Sequence, residues 1–106
     1  MMDKSATTDY QKRFLEAVQN CDMSSMTELL KDRPGKVNVN VFDKRTGQTP
    51  LHQGCLEGNI ELVQLLIRYG ADVRLANRDG WSPLHLACYT GNEKVYKYIV
   101  RMLQEG

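Results

Sequence analysis

The sequence has no marked excess of charge, no long apolar run and few cysteines. Fourteen Lys and Arg residues against thirteen Asp and Glu give a net charge of +1, so nucleic acid is not an expected direct partner. The longest apolar stretches are a few residues, far short of the roughly 20 that span a bilayer, so no membrane partner is expected. Three cysteines at wide spacing are typical of a reducing compartment rather than of a disulfide framework.

These absences leave a small protein with an ordinary composition. Its 106 residues, 42% of them hydrophobic, are enough for one compact domain. The first ten residues are polar and contain no apolar core of a secretory signal. We therefore expect a soluble intracellular protein.

A twelve-residue segment occurs twice, 33 positions apart. The first copy begins at Gly47 and the second at Gly80. Residues 47–58 read GQTPLHQGCLEG and residues 80–91 read GWSPLHLACYTG. Seven identical or similar residues coincide at this one offset. The period and the Thr-Pro-Leu-His block resemble the ankyrin repeat.

The physical chemistry of the segment agrees with that resemblance. Thr49 is a helix N-cap, and Pro50 suits the first helical position because its missing N–H is not needed there. Gly58 can end this first helix in a left-handed conformation. Asn59 then caps a second helix, from about Ile60 to Tyr69. The same signals recur in the later copy.

The pattern predicts an all-α repeat fold: an ankyrin solenoid of three stacked helix-turn-helix repeats with short β-hairpin loops. We expect a single ankyrin-repeat domain over residues 1–106. Repeat one covers about 8–42 and is divergent, repeat two covers about 43–75 and repeat three about 76–106. In repeat one, the patterns from Thr8 to Gln11 and from Ser25 to Glu28 are typical of capping boxes at helix starts.

The last helix, from about Asn92 to Gln104, has apolar side chains on more than one face. These are Val95, Tyr96, Tyr98, Ile99, Val100 and Met102. Some must pack on repeat two while others face outward, and we expect no fourth repeat to cover them. Two interpretations stay open, a stack that awaits a partner and a self-sufficient cap with tyrosines at its wet boundary.

Two His-x-x-Cys pairs, His52 with Cys55 and His85 with Cys88, raise the possibility of a zinc site. Equivalent positions in adjacent repeats lie roughly 8–10 Å apart, which is too far for four ligands of one ion. No residue is placed to orient a catalytic base beside either thiol, and no Gly-rich phosphate loop occurs. We expect no enzyme, no metal, no cofactor and no small-molecule substrate.

The sequence offers one aromatic residue as a binding anchor. Trp81 either packs the base of its loop or lies partly exposed on the last repeat, where tryptophan can dominate an interface. Other candidates lie beside it or at the loop tips that ankyrin proteins commonly use. The predicted partner-binding residues are Trp81, Cys88, Tyr89, Arg78, Asn77, Arg45 and Lys44.

A longer stretch is more particular than a generic repeat. Residues 70–85 read GADVRLANRDGWSPLH, with Arg74 where Asn is usual. This stretch resembles the family of Notch-regulated ankyrin repeat proteins. The resemblance implies a negative-feedback regulator of Notch signalling and of transcription, in the nucleus and cytoplasm. Its implied partners are the ankyrin repeats of the Notch intracellular domain, whose stack it extends, and the CSL-type DNA-binding transcription factor.

Three alternatives stay open at this point. A generic ankyrin adaptor would bind another intracellular partner. A homodimer would form if two copies stacked through the last repeat. An enzyme would require chemistry at a thiol such as Cys88.

Overall fold

The computed structural model describes residues 2–32 and 37–105, with side chains described from residue 10 onward. Six α-helices follow one another along the chain: α1 Met2–Gln19, α2 Met23–Asp32, α3 Pro50–Glu57, α4 Ile60–Arg68, α5 Pro83–Thr90 and α6 Glu93–Glu105. They form the three helix pairs that the repeat pattern predicts. No strand occurs within the described ranges, so the connecting loops turn without building a ladder.

The chain divides into two compact units, residues 1–38 and residues 39–106. In the first unit α1 packs on α2. In the second, α3 packs against both α4 and α5, α5 packs against α6, and α4 contacts α6. Repeats two and three therefore share an interface. The repeat boundaries given above and the single domain over 1–106 stay predictions.

The core of the first unit lies between two helices. Apart from Val37, its described buried apolar side chains come from α1 and α2 at helical spacing. They are Phe14, Ala17, Val18, Met26, Leu29 and Leu30.

The helix start predicted at Thr8 is wrong. Residues before Thr8 are already helical, since α1 begins at Met2. Gln11 has another role, because its Nε2 donates to the carbonyl oxygen of Asn38 at 3.1 Å and its Oε1 accepts from the Asn38 N–H at 2.7 Å. The side chain binds the chain after α2 rather than a helix end.

The cap predicted at Ser25 is also wrong. The α2 helix begins at Met23, and Asp22 accepts from the Ser25 N–H at 3.1 Å and from Ser25 Oγ at 2.7 Å. These two hydrogen bonds lower the pKa of the Asp22 carboxyl. A carboxylate caps well because it offers charge and two acceptors to the positive end of the helix.

In the second unit the predicted helix ends are confirmed. Thr49 Oγ1 accepts from the His52 N–H at 3.3 Å, and Ser82 Oγ accepts from the His85 N–H at the same distance. Pro50 and Pro83 begin the helices that follow. Each first helix ends at a glycine with a positive φ, 69° at residue 58 and 73° at residue 91.

The second helices begin at asparagine, as the sequence predicts. Asn59 Oδ1 accepts from the Leu62 N–H at 3.1 Å, and Asn92 Oδ1 accepts from the Val95 N–H at 3.0 Å. The α4 helix ends one residue before the predicted Tyr69. The larger fully buried apolar side chains of this unit are Leu51, Cys55, Leu62, Val63, Leu66, Val95 and Ile99. Burial of each leucine contributes about 1.5–3 kcal/mol relative to exposure.

Candidate protein-binding surface

A tight loop precedes α5 in the third repeat, and Asn77 holds it together. The Asn77 N–H donates to the carbonyl oxygen of Trp81 at 2.8 Å. Its Oδ1 accepts from the N–H groups of Asp79 and Trp81, at 3.0 and 2.9 Å. Its Nδ2 donates to Gln48 Oε1 at 2.9 Å. Only 7% of Asn77 is exposed. Its predicted partner contact stays a prediction, but its polar atoms are already engaged within the chain.

Arg78 joins this loop to the preceding one. Its backbone N–H donates to the carbonyl oxygen of Gly47 at 3.0 Å, and its Nη1 donates to that of Lys44 at 3.4 Å. Arg45 pairs with Asp43 at 3.5 Å, and the Arg45 side chain is 72% exposed, so water screens this pair. The Arg78 side chain thus ties its own loop to the backbone of the loop that contains Lys44.

Phe42, at these loop tips, is not among the residues that the sequence predicts to bind a partner. Phe42 is 44% exposed and lines a shallow depression of about 310 Å³ together with Lys44, Gly47 and Arg78. The available signal was an apolar residue placed directly before the charged run from Asp43 to Arg45. That signal is weak, because apolar residues often begin a loop.

The outer face of α5 carries an aromatic cluster. The Trp81 ring meets the Tyr89 ring edge to face, with centroids 5.8 Å apart, and the His85 ring in the same manner at 6.1 Å. Residues 85 and 89 lie on one side of the helix because they are four apart. Trp81 is 41% exposed and Tyr89 is 76% exposed. The two ring contacts hold an exposed indole in place, and such contacts contribute about 0.5–1.5 kcal/mol.

A groove between α5 and α6 continues this face. Its volume is about 310 Å³, and its lining includes Ala87, Cys88, Gly91 and Tyr96. Cys88 is exposed, and three of these four lining residues (Ala87, Cys88 and Gly91) are small. Tyr96, the aromatic member of the lining, is 40% exposed. We call the set of Trp81, His85, Cys88, Tyr89 and Tyr96 the outer surface of the third repeat.

The two histidines occupy equivalent places with different surroundings. His52 is fully buried; its Nδ1 lies 2.6 Å from Thr49 Oγ1 and its Nε2 lies 2.9 Å from the carbonyl oxygen of Trp81. Burial lowers the pKa of His52, against the opposing effect of backbone hydrogen bonds. His85 Nδ1 lies 2.8 Å from Ser82 Oγ, and the ring is exposed.

The thiols differ in the same way as the histidines. Burial raises the pKa of Cys55 to about 12, whereas Cys88 is exposed. Within residues 2–32 and 37–105, His, Cys, Asp and Glu side chains form no group of three that could hold a metal ion. None of the described helices combines the length and apolar content needed to cross a membrane.

Paired helices, the glycine and asparagine helix ends and the histidine bridge between repeats define an ankyrin repeat protein. Residues 14–105 match the family model of ankyrin repeats in three copies. Relatives of the same kind are found in Xenopus tropicalis, Homo sapiens and Danio rerio, and each is called a Notch-regulated ankyrin repeat-containing protein. The chain belongs to the ankyrin repeat family and, within it, to the family of Notch-regulated ankyrin repeat-containing proteins.

The similarity to these relatives covers most of the chain. Identity to the Xenopus tropicalis protein is 44% over 79 residues, which are 74% of this chain and 68% of the relative. Identity to the human protein is 47% over 70 residues, 65% of this chain and 60% of the relative. For Danio rerio protein A the identity is 44% over 78 residues, 73% and 69% of the two chains. The matched region thus spans about two thirds of these relatives.

Proposed function

We propose that this chain is a non-enzymatic protein-binding module that restrains Notch signalling. It binds the ankyrin repeats of the Notch intracellular domain together with the CSL-type DNA-binding factor, and it extends the Notch ankyrin stack. The observation that carries the proposal is the exposed aromatic face of the third repeat, with Trp81 and Tyr89 at its centre. The relatives' name supports the link to the Notch pathway.

The proposed docking is a continuation of packing already present inside the chain. The α3 and α4 helices of repeat two pack against α5 and α6 of repeat three. Another ankyrin repeat can cover the outer surface of the third repeat by similar helix-to-helix packing. Burial of a large aromatic anchor is the kind of contact that contributes about 2 kcal/mol or more to an interface. The small side chain of Cys88 leaves room for a helix to approach.

The loop tips supply the second part of the proposed site. Three exposed cations lie in the loops before α3 and α5. They are Lys44 and Arg45 in the first loop and Arg78 in the second. We assign to them the contact with the DNA-binding factor. Charges at the rim of an interface act mainly on the association rate and on specificity. Their contribution should therefore weaken as salt is raised.

Gel filtration with light scattering tests the proposal directly. The chain is mixed with a Notch ankyrin domain, with and without the CSL-type factor, and a complex that requires both proteins is the expected result. Trp81→Glu and Cys88→Trp should abolish that complex while the circular dichroism spectrum is unchanged. Gln64→Glu, at an exposed position of α4, adds the same charge elsewhere and should bind normally.

Two results would contradict the proposal in different ways. If both variants are folded and still bind, the docking surface lies elsewhere on the chain. If the wild-type chain binds in no mixture, the Notch assignment is wrong and the chain is an ankyrin adaptor for another partner. Light scattering of the chain alone, over a range of concentrations, separates both cases from self-association through the same surface. We place the activity in the nucleus and cytoplasm, which imaging of a tagged chain checks.

A further inference from the structure

Inside the chain, a histidine of one repeat holds the loop of the next. The backbone N–H of Thr49 donates to His52 Nδ1 at 3.4 Å. A backbone N–H can only donate, so Nδ1 is an acceptor and the proton of the neutral ring is on Nε2. That Nε2–H therefore donates to the carbonyl oxygen of Trp81, at 2.9 Å.

His85, 33 positions later, makes the same contact through Nδ1. The backbone N–H of Ser82 donates to His85 Nδ1 at 3.2 Å, which again leaves the proton on Nε2. The Trp81 ring lies against the imidazole with centroids 6.1 Å apart. The cap and the indole together fix the orientation of the ring, although the residue is exposed.

The two histidines make matching contacts through Nδ1 but differ in what lies beyond Nε2. The acceptor of His52 is a loop carbonyl of the following repeat. Within the part of the chain that the structure describes, His85 Nε2 has no hydrogen-bond partner besides solvent. It is a donor in a fixed orientation on the outer surface of the third repeat, beside Trp81 and Tyr89.

We propose that His85 positions the docked partner by donating its Nε2–H to a backbone carbonyl oxygen in a loop of that partner, as His52 does to Trp81. The inference rests on the proposed function and adds a directional polar contact beside the aromatic rings of Trp81 and Tyr89. Trp81 and Tyr89 would supply apolar area buried in the complex. Apolar burial is not directional, so it does not by itself fix the position of the partner along the surface. A directional hydrogen bond to the main chain fixes the register, because its geometry is restricted.

The chemistry of the acceptor has a consequence for partner choice. A peptide carbonyl is present whatever side chain the partner has at that position. His85 therefore selects a loop held in the correct place, not a particular residue. A repeat protein, whose loops are held by its own helices, meets this requirement better than a flexible peptide does, because ordering a peptide has an entropic cost.

Methylation of one nitrogen tests the proposal at the atom concerned. A chain with Nε2-methylhistidine at position 85 keeps the Nδ1 acceptor and the ring but lacks the donor. The junction of Gly54 and Cys55 allows this chain to be made by native chemical ligation of residues 1–54 to a synthetic segment 55–106. The control is the same ligation product with ordinary histidine. The probe is the Notch ankyrin domain with the CSL-type factor.

We expect the methylated chain to bind at least about tenfold more weakly than the control, since a carbonyl is then buried without a donor. A genetic variant avoids the added methyl group. His85→Glu preserves the capping box, because a glutamate at this helix position accepts from the N-cap N–H, yet it cannot donate. It should weaken binding by about as much with an unchanged melting temperature. His85→Gln, which restores an N–H donor, should recover part of the affinity.

A spectroscopic readout separates positioning from mere stability. In the complex the Nε2-bound proton of His85 should exchange slowly with water and give a visible NMR signal, unlike in the free chain. Suppose that the methylated, His85→Glu and wild-type chains bind with equal affinity while Trp81→Glu abolishes binding. That result would overturn this inference and leave the proposed docking surface intact. If the wild-type chain forms no complex, the proposed function fails and this inference fails with it.

Discussion

Asn92 reaches back from the start of α6 to Gly58, the residue that ends α3. Its Nδ2 donates to the carbonyl oxygen of Gly58 at 3.4 Å, while its Oδ1 accepts from the Val95 N–H at 3.0 Å. One side chain thus caps the last helix and ties repeat three to repeat two. The contact is close, since a Cβ atom on Gly58 would overlap Asn92 Nδ2.

Alanine at the two helix-ending glycines should therefore have unequal effects. Gly58 and Gly91 have nearly the same φ, 69° and 73°, so both substitutions incur a strain of about 1 kcal/mol. Gly58→Ala must in addition displace Asn92, and we expect a loss of about 2–3 kcal/mol in the free energy of unfolding. Gly91→Ala meets no atom within 4 Å. Urea unfolding measures both, and equal losses would show that Asn92 contributes nothing there.

Removal of the buried histidine should cost far more than removal of the exposed one. His52→Ala deletes a side chain with no exposure and leaves the Trp81 carbonyl and the Thr49 N–H without their partner. We expect a loss of about 3 kcal/mol. His85→Ala loses the corresponding cap, for about 1 kcal/mol. Thermal unfolding of the two variants checks the order, and a larger loss for His85→Ala would contradict it.

The stability of the fold should decrease in mild acid because of His52. Burial lowers its pKa below the ordinary value of 6.5. Well above pH 6.5 the ring is neutral in both states and contributes no pH dependence. As the pH falls further, the unfolded chain binds the proton first, so the free energy of unfolding decreases until the lowered pKa of the folded state is reached. The slope is at most about 1.4 kcal/mol per pH unit.

Urea titrations at about pH 7.5 and pH 5.5 measure this effect. His52→Gln is the matched control, because glutamine can keep the capping contact without titrating. The variant should lose less stability between the two pH values than the wild-type chain does. Identical losses would assign the pH dependence to other groups.

The three thiols should react at very different rates. Cys55 has no exposed surface and a pKa of about 12, so thiolate is scarce and access requires unfolding. Cys21 and Cys88 are exposed. In iodoacetamide at neutral pH, mass spectrometry should show modification at positions 21 and 88 long before position 55. Modification of Cys55 at the rate of Cys88 would mean that α3 opens readily in the native state.

The helices of repeats two and three could be predicted from the sequence, although the β-hairpin loops expected between them contain no strand in the described residues. Thr49, Pro50, Gly58 and Asn59 are each compatible with few backbone conformations, and their recurrence at one offset fixes the helix ends. Local chemistry decides these features, so local sequence reveals them.

The first repeat shows where that reasoning fails. Ser25 fits the capping-box pattern, yet Asp22 provides the cap, because several residues near a helix start can compete for the same N–H groups. In the third repeat, the sequence did not reveal that Asn77 hydrogen-bonds within its own loop; its predicted partner contact stays a prediction. Exposure of His85 and Phe42 depends on which neighbours cover them, and that is a property of packing rather than of either residue's type.

Trp81 contributes to the chain and to its surface through different atoms. Its carbonyl oxygen accepts the hydrogen bond of His52, while its indole is directed outward against Tyr89. Every amino acid has the carbonyl, so a substitution at position 81 can change the indole without removing the internal bond. Natural selection can therefore change affinity for other molecules through the side chain at position 81. The hydrogen bond between repeats two and three does not depend on that side chain.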